Sequence, residues 1–85
     1  MEEIRDKVRE FVLDAAERKG LNTVTDEESL TENGVVDSLG IFRLVSFLED
    51  NFGVRIGDEE IVSENFRSVI AIESFVAGKL VKKAK

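Results

Sequence analysis

The sequence predicts an all-α fold: a small four-helix bundle, three longer helices plus one short, with a long loop between helices 1 and 2. Apolar residues recur at helical spacing in three separate stretches, and no run alternates apolar with polar residues as a half-buried strand does. Proline is absent, which agrees with a chain that keeps its helices unbroken. A length of 85 residues suits one core, so residues 1–85 read as a single domain, with 79–85 as a frayed, lysine-rich tail.

The first helix covers residues 2–18. Counted from Ile4, the apolar residues Val8, Phe11, Val12, Ala15 and Ala16 follow at steps of four, seven, eight, eleven and twelve. Those steps trace one face of an amphipathic helix. Gly20 then stands where a residue free to turn left-handed stops a helix. Residues 19–37, "KGLNTVTDEESLTENGVVD", make the long connection. Thr25 and Glu28 have the spacing of a capping box, and Asn33-Gly34 is a turn signal. Leu21, Val24 and Leu30 are candidate plugs into the core, and Val35 and Val36 lead the chain back inward. A loop of this length inside one domain is usually functional.

The second helix covers residues 38–52 and holds more apolar residues than one stripe uses. Leu44, Val45, Leu48 and Phe52 make the consistent core face. Leu39, Ile41, Phe42 and Phe47 are left over for the surface or a cavity. Asn51 and Gly53 end the helix, and "VRIG" at 54–57 reads as extended or coiled. Asp58 opens a short third helix through about residue 65, with Asp58, Glu59 and Glu60 suited to its positive end. Phe66 turns inward. Ser68 is a good cap for a last helix through about residue 81, where Val69, Ile72, Val76 and Leu80 repeat at helical spacing.

Composition removes several kinds of chemistry. With no histidine and no cysteine, the usual ligand sets for zinc, haem and iron–sulfur clusters are missing, as are Ser-His and Cys-His nucleophile pairs. No metal site and no catalytic residue is expected, so the chain reads as something other than an enzyme. Lack of cysteine fits a reducing cytoplasm. No apolar run approaches the roughly 20 residues that span a bilayer, so stable membrane insertion is not expected. The net charge is −6, and residues 20–40 hold five acids (Asp26, Glu27, Glu28, Glu32, Asp37) and no base. Such a surface repels phosphate backbones, which argues against nucleic acid and for basic protein partners. Lys79, Lys82, Lys83 and Lys85 suit a helix C-terminus better than a nucleic-acid or lipid contact. Nothing demands an oligomer, and a monomer is expected.

One hydroxyl stands out. In "GVVDSLGIFRLVSFLEDNFGVRI", Ser38 lies between Asp37 and Leu39 where polar loop gives way to helix. Asp37 is a natural N-cap, and a phosphate ester at Ser38 would face the unpaired N–H groups and positive end of the helix. On the dipeptide alone, Asp-Ser before an apolar run is most often just a cap. The longer stretch resembles the region around the phosphopantetheine attachment site of acyl carrier proteins. Gly34, Asp37-Ser38-Leu39 and the helix ending in "LEDNFGV" carry the likeness, and "DEESLTENG" and "NFRSVIAIESFV" extend it over most of the chain.

The resemblance implies that a phosphopantetheinyl transferase moves the 4′-phosphopantetheine of coenzyme A onto Ser38, with Asp37 helping in that reaction. Acyl or aminoacyl groups then ride as thioesters on the arm's thiol, loaded by a ligase or transferase and used by downstream synthases of fatty acid, polyketide or specialised lipid biosynthesis. Leu39, Phe42 and Arg43, with Glu28 and Glu32 of the acidic loop, become partner contacts. Departures from the family pattern point away from a housekeeping fatty-acid role. Residues 38–48 contain no acid, Gly40 stands where an acid is frequent, Phe42 is bulkier than usual, and Gly57 replaces a common proline. A specialised stand-alone carrier, an aminoacyl or peptidyl carrier with its own ligase included, fits at least as well. From a different class, a small helical interaction module without a prosthetic group uses the same surplus apolar residues as a docking patch.

Overall fold

The periodic apolar faces become helices in the computed structural model, which describes residues 2–21 and 23–84, and their side chains apart from those of residues 2, 38 and 82–84. In chain order, α1 spans Glu2–Arg18, α2 Ser38–Phe52, α3 Ser63–Phe66 and α4 Val69–Ala84, and a 3-10 turn covers Asp58–Glu60 between α2 and α3. There is no strand among the described residues. The helix α4 packs against each of the other three.

The faces point as their spacing requires. Ile4, Val8, Val12 and Ala16 of α1 are buried, with Phe11 and Ala15 packed at the edge of the core. Gly20 has φ 81° and ends α1, with its N–H on the Glu17 carbonyl and the Leu21 N–H on that of Ala16. This paired bonding satisfies carbonyls that the helix end would otherwise leave bare. In α2, Leu44, Val45 and Leu48 are buried and Phe52 half-buried, while Gly53 at φ 66° closes the helix onto the Glu49 carbonyl. Ser68 caps α4, its Oγ accepting the Ala71 N–H at 3.1 Å.

The long loop behaves as a built part of the core. Leu30 is wholly buried, its N–H bonds the Arg67 carbonyl, and its carbonyl takes the Val36 N–H. The Ile70 N–H bonds the Asp26 carbonyl, so the loop is stitched to the α3–α4 corner. Val24, Val35 and Val36 are buried beside it.

One element differs from its sequence reading. The single short helix expected from Asp58 to about Asn65 is divided into the 3-10 turn and α3. Of the residues in these two pieces only Phe66 is buried, so a continuous helix there would have no apolar stripe to bury. Glu60 instead reaches back to the Gly57 N–H at 3.0 Å, and the Asn65 amide side chain donates to the Glu60 carbonyl at 2.8 Å across the break. At the lysine-rich end, Lys79 lies within α4 and pairs with Glu60 at 2.7 Å. The side chains of Lys82 and Lys83, and all of Lys85, lie outside the described residues.

Candidate functional site

The junction between loop and α2 is organised by Asp37. Its backbone is extended (φ −105°, ψ −172°), and its Oδ1 accepts the Gly40 N–H at 2.7 Å while its carbonyl takes the Ile41 N–H at 3.0 Å. The other carboxylate oxygen accepts from Lys19 Nζ at 3.0 Å. The Gly40 N–H and then the Lys19 ammonium hold the Asp37 carboxyl below the usual aspartate range. Gly40 permits the tight cap, since a Cβ there would stand 3.1 Å from Asp37 Oδ1.

Ser38 is the first helical residue after this cap. The direction and exposure of its hydroxyl lie outside the described residues. The first amides of a helix have no internal partner, so the backbone around residue 38 is a donor-rich end with positive character. Beyond it, Leu39 and Phe42 are 70% and 60% exposed, and Arg43 is exposed one residue further on. Residues 39, 42 and 43 are three and four apart and share one face.

A cleft of about 120 Å³ opens between the end of α1 and the start of α2. Phe11, Ala15, Val35 and Val36 line it, with Arg18, Lys19 and Arg43 among its charged residues. Arg18 pairs with Asp14 at 2.9 Å and Lys19 with Asp37 at 3.0 Å, while Arg43 has no ion pair among the described residues.

The acids of the loop differ in how their carboxylates are held. The Glu28 carboxylate accepts the Thr25 N–H at 3.0 Å and the Asn33 side-chain amide at 2.6 Å, and these bonds, that to Asn33 first, lower its pKa. Asp26 pairs with Arg9 at 3.3 Å. Glu27 and Glu32 are exposed, and no bond or ion pair is made by their carboxylates among the described residues. No group of three or more acids is placed to hold a metal ion, and no helix is long and apolar enough to cross a membrane, among the described residues.

No family model matches the chain. Its curated relatives include the acyl carrier protein of Myxococcus xanthus, 38% identical over 64 residues that cover 73% of this chain and 78% of that protein. The acyl carrier protein of Micrococcus luteus is 38% identical over 64 residues, covering 73% of this chain and 76% of its own. Among solved structures, an acyl carrier protein from Thermotoga maritima superposes with a TM-score of 0.65 at 39% identity over 93% of both chains. This chain belongs to the acyl carrier protein family.

In this acyl carrier protein relative, the structure gathers Asp37, Ser38, Leu39, Phe42 and Arg43 on the opening turns of α2, whereas Glu28 is turned into its own loop network. The residue that sequence reading missed is Lys19. Its position just past α1 carries no local signal, and only the tertiary packing of two helix ends brings it to Asp37.

Proposed function

We propose that this acyl carrier protein relative carries acyl or aminoacyl intermediates as thioesters on a 4′-phosphopantetheine arm joined to Ser38. The observation that carries the reading is the place of Ser38, first residue of a capped helix at a loop junction, in a chain of this family. The residues fit the group: the opening amides of α2 and the neighbouring Lys19 ammonium suit a phosphodiester, and Asp37 keeps the helix start in shape. When bound, the group supplies the thiol that the sequence lacks.

The chain's own residues present and position this arm, and partner enzymes do the chemistry. Asp37 serves the modifying transferase as well as the cap. Leu39, Phe42 and Arg43 meet partners on α2, and Glu32, whose carboxylate is free, meets a basic transferase from the loop side. Glu28 supports that role indirectly by holding the loop. The cargo belongs to fatty acid, polyketide or specialised lipid biosynthesis, and the acid-free opening of α2 favours a specialised pathway. The protein works as a cytoplasmic monomer, with residues 1–85 as one carrier domain.

The test is an intact mass after incubation with coenzyme A and a broad-specificity phosphopantetheinyl transferase. A gain of one phosphopantetheine, lost in Ser38→Ala, is expected. No gain under conditions that modify a control carrier overturns the reading in favour of an interaction module.

A further inference from the structure

We propose that Lys19 is the countercharge of the attachment site: once the arm is on Ser38, its ammonium bridges the Asp37 carboxylate and the phosphodiester, so that attachment strengthens the tie between the end of α1 and the start of α2. The inference rests on the carrier reading and brings a side chain from outside α2 into that site.

The geometry is that of one ion pair. Lys19 lies just past α1, 18 residues before Asp37, and its Nζ stands 3.0 Å from Asp37 Oδ2. That oxygen is the one the cap leaves over, since Oδ1 takes the Gly40 N–H at 2.7 Å. Residue 38 follows Asp37 directly, so an ester there is joined to the chain beside the same ammonium. A lysine ammonium has three N–H donors, and Asp37 is the one partner of Lys19 Nζ among the described residues. Both side chains are open to water, at 39% and 59% exposure, so a group arriving from outside can reach them.

The need for a cation follows from the charges that attachment brings together. Asp37 is kept in its charged form by the Gly40 N–H and by Lys19. A phosphodiester adds a second anion on the very next residue. The two repel, and Asp37 gives way by taking a proton only at the expense of its cap. The opening amides of α2 offset part of the repulsion, and a cation in contact with both anions offsets more. The other cations of the cleft are less well placed. Arg18 turns back along its own helix to Asp14 at 2.9 Å. Arg43 stands five residues beyond Ser38, about 7.5 Å along the helix axis. With Asp14 and Asp37 counted beside Arg18, Lys19 and Arg43, the charges lining the cleft are nearly balanced. Contact, and not the net field, therefore decides which cation meets the ester.

The test compares the unmodified and the modified chain, with loading verified by intact mass. Thermal unfolding is followed by circular dichroism for the native chain, Lys19→Met, Lys19→Arg and Arg43→Gln. Lys19→Met is expected to lower the melting temperature of the modified form by roughly 2–4 °C more than that of the unmodified form, the scale of an exposed ion pair in a domain this size. The difference should shrink at high salt, and Lys19→Arg should restore most of it. Arg43→Gln should affect both forms alike. Equal losses in the two forms of Lys19→Met mean a role in the fold alone and overturn the proposal, as does a larger difference in Arg43→Gln. A second measurement needs no variant: the ε-carbon resonance of Lys19 should shift when the native chain is modified, while that of Lys7 on α1 stays in place. An unmoved Lys19 resonance overturns the proposal as well. These outcomes separate from the mass test. A mass gain without the Lys19 effects removes this inference alone, and no mass gain removes the carrier reading and this inference with it.

Discussion

Asp37 caps α2 with one carboxylate oxygen and holds Lys19 with the other, and each bond requires the charged form to be at full strength. Its pKa is lowered in the folded chain, as is that of Glu28. A lowered carboxyl stabilises the fold above its ordinary titration range and loses that contribution as pH falls through the folded value. Acid unfolding followed by circular dichroism should therefore begin just below the ordinary carboxylate range. Asp37→Asn keeps an acceptor for the Gly40 N–H but loses the charge, so its stability should change less with pH over that range. Asp37→Ala should also lower the melting temperature at neutral pH, because the cap itself is gone. The cap was legible in the sequence, since an aspartate before an apolar run has few other uses. Lys19 was not, because ion pairs between distant helix ends leave no periodic trace.

At the scale of elements, the loop between α1 and α2 depends on one leucine. Leu30 is wholly buried and its backbone bonds both Val36 and Arg67, tying the loop to itself and to the α3–α4 corner. Leu30→Ala should cost about 2–5 kcal/mol by denaturant unfolding. Amides near Arg67 and Ile70 should shift in the same variant, which a loop lying loosely on the surface would not produce. Leu30 could be picked out as an apolar residue in polar surroundings, but what it plugs could not. The division between the 3-10 turn and α3 was also hidden. Acids followed by Ile61 and Val62 look like a helix start, and only the lack of a second buried position shows why the chain breaks.

For the whole molecule, α4 is the common surface on which the other helices pack. Phe66 beside it is the largest wholly buried side chain among the described residues, edge-on to Phe75 with centroids 5.4 Å apart. Removing that ring in Phe66→Ala should cost about 3–5 kcal/mol. Against the roughly 5–15 kcal/mol that holds a small domain together, this is a large share, and the chemical-denaturation midpoint should fall accordingly. The bundle was legible because the helical faces are cleanly spaced, whereas the surface field was not. Composition reports −6, but it does not reveal which acids are already paired with Arg9 or Lys19. The Asp37–Lys19 clasp has a mechanical corollary. On the proposed attachment at Ser38, a pull on that residue is passed through the cap to the end of α1 as well as into α2.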